Sequence, residues 1–133
     1  MTTPSRDRRR TVGALGERLA EEHLTRRGYR VLERNYRTRF GELDLVAADG
    51  RSIVFCEVKA RVGTARGDPG GPLASIGASK RRRVRSMARE WLAGSDGGPR
   101  AVAGADVLRF DAIGITLAPD GTLVSLEHLN DAF

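Results

Sequence analysis

The 133 residues read as one small α/β domain, a mixed sheet with helices on its faces, and three observations carry that expectation. Apolar residues recur at helical spacing in two well-separated segments. Short apolar runs, bounded by Gly, Asp and Pro, lie between and after them. The resulting order is helix, three strands, helix, two strands, with no internal repeat. A chain of this length supports one core and is too short for two.

The elements follow in order. Residues 1–10, "MTTPSRDRRR", are polar and basic and read as a disordered arm. From Thr11 to Arg27 the positions Val12, Leu15, Leu19 and Leu24 keep helical spacing, with Thr11 as a candidate N-cap and Gly28 as the stop. Tyr29 to Tyr36 is a short strand. Gly41 to Ala48 and Ser52 to Arg61 are two further runs joined by "ADGR", and Asp-Gly between apolar runs is a strong hairpin signal. The Gly/Pro-rich stretch Val62 to Ser79 is a surface loop. Ser79 to Ala93 is the second helix, with a stripe of Val84, Met87, Ala88, Trp91 and Leu92 facing a sheet and Gly94 closing it. After "GSDGGPRAVAGA" come the strand "DVLRFDAIGITL", a turn at "APDG" and the strand "TLVSL". Residues 11–133 therefore form the single domain.

Composition narrows the function classes. No apolar run approaches the roughly 18 residues that cross a membrane, and the basic N-terminus is not followed by the hydrophobic segment of a secretory signal. The one cysteine, Cys56, excludes an internal disulfide and fits a reducing compartment, so a cytoplasmic location is expected. Two distant histidines, His23 and His128, give little support to a zinc cluster. A net charge of +6 and a pI of about 10.6 favour a polyanionic partner, nucleic acid before membrane. An Arg-rich solvated surface is the plainer account of the same charge. Of the 23 basic residues only Lys59 and Lys80 are lysines. Lysine is a compact point charge, whereas arginine is a permanently charged planar fork.

"VFCEVKA", Val54 to Ala60, places Glu57 and Lys59 in an apolar run, where unpaired burial of either costs several kcal/mol. Alternation sets Ile53, Phe55, Glu57 and Lys59 on one strand face, and Glu42, Asp44 and Val46 on one face of the strand before. A two-residue turn at Asp49-Gly50 pairs Ala48 with Arg51, Asp44 with Phe55 and Glu42 with Glu57. A four-residue loop gives the same pairing, whereas a three-residue loop would set the charges on opposite faces. Glu42, Asp44, Glu57 and Lys59 then project from one side, leaving the other side apolar. Cross-strand neighbours lie roughly 5 to 8 Å apart, so Asp44 and Glu57 can meet at one point. Crowded acids need a cation, and a hard-oxygen set suits Mg²⁺ or Mn²⁺. Such a centre suits phosphodiester hydrolysis, with Lys59 orienting the attacking hydroxide and stabilising developing charge. Charge pairing on a solvated sheet face accounts for the same residues without a site.

Glu17 borders the apolar face of the first helix and could reach a metal on the sheet. Lys80 extends the buried stripe of the second helix toward its N-terminus. "KRRRVR", with Lys80, Arg81, Arg82, Arg83 and Arg85, reads as a phosphate-binding surface, and Arg61 at the end of its strand is counted with it.

"GELDLVAADGRSIVFCEVKAR" resembles the Asp…Glu-x-Lys motif of the PD-(D/E)XK nuclease superfamily. With "GALGERLAEEHLTRRGYRVLERNYR", "KRRRVRSMAREWL", "RFDAIGI" and "NDAF", nearly the whole chain after the basic arm resembles the YraN-type (UPF0102) bacterial family, related in fold to archaeal Holliday-junction resolvases. The resemblance implies a restriction-endonuclease-like core. It implies that Asp44 and Glu57 match the metal-binding acids, Lys59 the catalytic lysine, and Glu17 the acid that resolvase-like members contribute from their first helix. Glu42 belongs to the "GE-x-D" block and receives no ligand role. Arg109 and Asp111 belong to the "RFD" block, where a structural ion pair is the expectation. The function expected is a metal-dependent endonuclease acting on DNA, with branched or recombination intermediates as candidate substrates and a homodimer as a candidate assembly. The alternatives are a nucleic-acid-binding module without turnover and a protein-interaction domain using its basic helix.

Overall fold

A computed structural model describes residues 6–63, 73, 77–94, 105 and 107–132. The first helix, α1, spans Arg6–Arg26. It starts at Arg6 rather than at the expected Thr11, so residues 6–10 continue the helix instead of forming a disordered arm. Arginine is a good helix former, and no Gly or Pro interrupts "RDRRR". Residues 1–5 lie outside the described residues. The helix ends where Gly28 takes φ 93° and the Tyr29 N–H donates to the Leu24 carbonyl at 3.0 Å.

Three strands follow, β1 (Arg30–Thr38), β2 (Gly41–Ala48) and β3 (Ser52–Val62), then α2 (Ala78–Ala93), β4 (Val107–Leu117) and β5 (Leu123–Leu129). The sheet order is β1-β2-β3-β4-β5. Only β3 and β4 run parallel, which requires the crossover through α2. The architecture is the expected mixed sheet flanked by helices, in the expected order. Most of the Gly/Pro-rich loop, residues 64–72 and 74–76, and most of the connector after α2 lie outside the described residues. Strand β5 runs on to Leu129, past the expected "TLVSL", because His128 is pinned to β4 through Asp111.

The β2–β3 register differs from the expected one by two residues. Ala48 pairs with Ile53, and Val46, not Asp44, lies opposite Phe55. The connection is closed by Asp49, which donates its N–H to the Ser52 carbonyl and accepts from the Arg51 and Ser52 N–H groups, with Gly50 at φ 95°. With residues 49–52 between the last partners Ala48 and Ile53, the pairing shifts instead of staying the same as expected of a four-residue loop. Strand β3 keeps its expected faces, but alternation along β2 breaks, with Leu43 and Val46 toward α2 and Leu45 and Ala47 toward α1.

Both faces of the sheet are covered. On one, α1 packs Ala20 and Leu24 against Leu45, Ala47, Val54, Cys56, Ile113 and Ile115. On the other, Val84, Met87, Ala88 and Trp91 of α2 meet Leu43, Val46, Ile53 and Phe55. Phe55 sits edge-on to Trp91 at 5.8 Å and stacks on Phe110 at 5.4 Å. At Gly16, α1 comes so close to β3 that a Cβ would overlap that of Ala60. That approach sets the depth at which Glu17 enters the sheet. No described helix is long and apolar enough to cross a membrane.

Candidate functional site

The ladder between β2 and β3 is short. Pairing runs from Ala48 and Ile53 only as far as Leu45 and Cys56, although both strands continue. One step farther along that register, Asp44 comes level with Glu57, and here the strands part. The Asp44 carboxylate enters the fork and accepts the Val58 N–H through Oδ2 at 2.8 Å. It thereby satisfies a backbone donor that has lost its sheet partner.

Two more acids reach this point. Glu17 arrives from α1, and Glu42 lies two residues before Asp44 on β2. One carboxylate oxygen each from Glu17, Glu42 and Asp44 lies within 4.8 Å of the others. Asn35, on β1 at φ 51°, ties two of them together. With its amide nitrogen turned to the acids it donates to Glu17 Oε1 at 2.7 Å and to Glu42 Oε1 at 2.9 Å. Asparagine tolerates that left-handed backbone better than bulkier residues do.

Glu57 is buried and bonds elsewhere. Its Oε1 lies 2.6 Å from the Lys80 ammonium, which comes from the first turn of α2. Lys59, half-buried, has its pKa lowered by burial first and then by the charge and hydrogen bond of Lys80. The two lysines of the chain are therefore neighbours.

The electrostatics follow from this crowding. Burial, followed by the charge of Glu57, pushes the Asp44 carboxyl up to about 8, against the pull of the Val58 hydrogen bond. Glu17 is raised too, by burial and then by Glu42 and Glu57. Among the described residues, the cluster holds more negative charge than its own cations balance at close range. Carboxylate oxygens in this arrangement can hold a hard divalent cation.

The expected site residues are thus distributed as follows. Asp44 and Glu17 meet, and Lys59 stands beside Glu57. Glu57 is bonded to Lys80 rather than grouped with Glu17 and Asp44. Glu42, given no ligand role from the sequence, takes the third position. Its alternation with Asp44 on one strand face was the available signal. Asn35 had none, because a strand asparagine is unremarkable until its cross-sheet neighbours are known. Lys80, counted with the phosphate-binding surface, has its amine on Glu57. Arg81, Arg82, Arg83 and Arg85 are exposed, with Arg85 lying over the Phe110 ring at 5.0 Å, and Arg61 is half-buried. Near the β1–β2 turn, exposed Arg37 lies 3.8 Å from Glu42. Cys56 is buried, and its thiol is pushed up by burial, so it is no nucleophile.

A second polar cluster lies on the α1 side of the sheet. Asp111, fully buried, accepts from Arg109 Nε at 2.9 Å and Nη2 at 2.8 Å and from the Asp131 N–H at 2.8 Å, and lies 2.7 Å from His128 Nε2. Arg109 also donates to the Tyr29 hydroxyl at 2.6 Å, and His128 Nδ1 lies 2.9 Å from His23 Nε2 on α1. The "RFD" block is thus the structural ion pair expected of it, extended by two histidines and a tyrosine.

The comparisons with known proteins agree with one another. The model of the family described as "Uncharacterised protein family UPF0102" matches residues 16–115. A UPF0102 protein of Anaeromyxobacter dehalogenans is 42% identical over 127 residues, covering 96% of this chain and 87% of that one. A UPF0102 protein of Mycobacterium avium is 46% identical over 117 residues, covering 86% and 84%. One from Rhodococcus opacus is 41% identical, covering 92% and 95%. The family match spans the α1 acid, the β2–β3 fork and Lys80 alike, and the chain belongs to the UPF0102 family.

Proposed function

We propose that this protein is a Mg²⁺- or Mn²⁺-dependent endonuclease that hydrolyses DNA phosphodiester bonds, with branched intermediates as its candidate substrates. The observation that carries the reading is the fork between β2 and β3. There Glu17, Glu42 and Asp44 offer oxygens within 4.8 Å of one another, with Glu57, Lys59 and Lys80 alongside. The raised carboxyl of Asp44 supports it further, because a divalent cation would relieve the repulsion that keeps a proton there.

In this reading Asp44, Glu17 and Glu42 hold the ion, and Glu57 completes the set. The bound ion polarises a phosphate oxygen and lowers the pKa of its water. Lys59 orients the attacking hydroxide and stabilises charge developing on the phosphate. Asn35 keeps the Glu17 and Glu42 carboxylates at a fixed spacing. Arg81, Arg82 and Arg83, all exposed on α2, neutralise neighbouring backbone phosphates, joined by Arg85 and Arg61. Two copies could present two centres to a symmetric junction.

Cleavage assays on linear, flapped and four-way-junction DNA with Mg²⁺ or Mn²⁺ test the proposal. Asp44→Ala and Glu57→Ala should each lower cleavage by at least about a hundredfold, while DNA binding at low salt persists. Equal cutting by wild type and both variants would identify the activity as contamination and end the nuclease reading. Binding without any cutting would leave a nucleic-acid-binding module instead. DNA affinity should fall steeply with salt, with a log–log slope of about −0.9 for each phosphate neutralised.

A further inference from the structure

We propose that Lys80 is an internal counter-ion that the divalent cation displaces: on metal binding Glu57 gives up the Lys80 ammonium, which then turns toward the substrate phosphate. This rests on the metal-dependent reading above and concerns how that site is held before the ion arrives.

The chain uses lysine at only two of 23 basic positions, and the fold brings both to one carboxylate. Lys80 Nζ is 2.6 Å from Glu57 Oε1, where the Glu57 side chain is only 8% exposed and that of Lys80 is 25% exposed. A buried carboxylate without a partner is strongly destabilising, so the ammonium offsets the burial of Glu57 and holds its side chain in place. Glu57 in turn acts on the rest of the cluster, since its charge helps raise both Asp44 and Glu17. While it is bound to Lys80, Glu57 stands outside the group of three acids able to share an ion.

The position of Lys80 allows the exchange. It lies in the first turn of α2, whose N-cap is Gly77 without a side-chain cap. The helix is anchored farther along by Val84, Met87, Ala88 and Trp91. The amine can therefore swing on its four-carbon stem without disturbing the helix. A guanidinium would grip the carboxylate through two parallel hydrogen bonds and resist release. Arg81, Arg82 and Arg83, on the same turn, face solvent, so the freed amine joins a surface already positive. One side chain then serves two states: metal surrogate when the site is empty of cation, phosphate ligand when it is loaded.

With two lysines, ¹⁵N-lysine labelling of the full chain yields two side-chain ammonium signals, assigned with Lys59→Met and Lys80→Met. Mg²⁺ alone, without DNA, should move the Lys80 signal with the same midpoint that calorimetry gives for Mg²⁺ binding. Lys80→Met should be less stable without metal and bind Mg²⁺ roughly tenfold more tightly, the scale set by removing one competing charge a few ångströms away. Lys59→Met should tighten binding less. If Mg²⁺ binds and the Lys80 signal stays where it was, or Lys80→Met binds no more tightly than Lys59→Met, the exchange is overturned while the metal site stands. Should Lys80→Met fail to fold, the wild-type titration decides alone. Absence of Mg²⁺ binding by the wild type overturns the exchange and the metal-dependent reading together.

Discussion

Asp44 and Asp111 are aspartates of the same sheet, one at the β2–β3 fork and the other on β4, and their surroundings differ in sign. Asp111 is completely buried, and burial alone would raise its pKa. The bonds from His128, Arg109 and the Asp131 N–H outweigh that and hold it below the ordinary carboxylate range. Asp44 sits far higher: burial raises it first, the charges of Glu57, Glu17 and Glu42 add to that, and only one backbone N–H opposes them. Burial raises both carboxyls, and the partners each one finds decide whether that rise is offset. One cluster is closed on itself, and the other, in the proposed reading, is completed by a cation.

The largest effect separating the two clusters should come from Asp111→Ala. It strands the Arg109 guanidinium and removes the acceptor that pins His128. A loss of about 3–5 kcal/mol is expected, a large share of the roughly 5–15 kcal/mol typical of a domain. Urea denaturation measures it, and a midpoint unchanged from wild type would mean the cluster is not a structural keystone.

A smaller effect is expected from Gly16→Ala. The new methyl meets Ala60, α1 must lift from β3, and overpacking of this kind costs about 1–3 kcal/mol. Because Glu17 is the next residue, the variant should also lose much of the thermal shift that saturating Mg²⁺ produces. Loss of stability with an undiminished Mg²⁺ shift would dissociate the helix contact from the acid cluster.

The effect with a sign of its own is pH dependence. Asp44 and Glu17 have raised folded pKa values, so the folded state binds more protons than the unfolded chain. Metal-free stability should therefore fall as pH rises from the ordinary carboxylate range toward about 8. Asp44→Asn should flatten that slope and raise the metal-free melting temperature at pH 8. Asp111 acts oppositely: its contribution is present above the ordinary carboxylate value and lost as pH falls through its lower folded value. His23, lowered by burial and then by His128, adds a loss of stability as pH drops below its ordinary value of about 6.5. A melting profile without metal that rose monotonically with pH would contradict the charge assignment at the fork.

Much of this was legible beforehand. The Asp49-Gly50 turn, the alternation in "VFCEVKA" and the stripe on α2 are local signals, and they located β2, β3 and α2 to within a residue or two. Parity placed Glu57 on the α2 side with Ile53 and Phe55, but the alternation expected along β2 breaks, since Leu43 packs with Val46 toward α2 while Leu45 and Ala47 pack toward α1. Parity does not set register, however, and the shift of two residues came from the Asp49 side chain closing a four-residue connection. The start of α1 was missed because a run of arginines suggests an arm as readily as a helix. Asn35, and the meeting of His23 with His128 across 105 residues, had no local signature at all.

The sequence by itself determined the element order, the residue types of the acidic cluster and the scarcity of lysine, since each is written in spacing and composition. Tertiary structure decided which acids meet. Where β2 and β3 part, a helix from one side and a helix from the other both reach the gap. Partners in three dimensions are set by where pairing stops and how closely α1 can approach, and no window of sequence contains either distance.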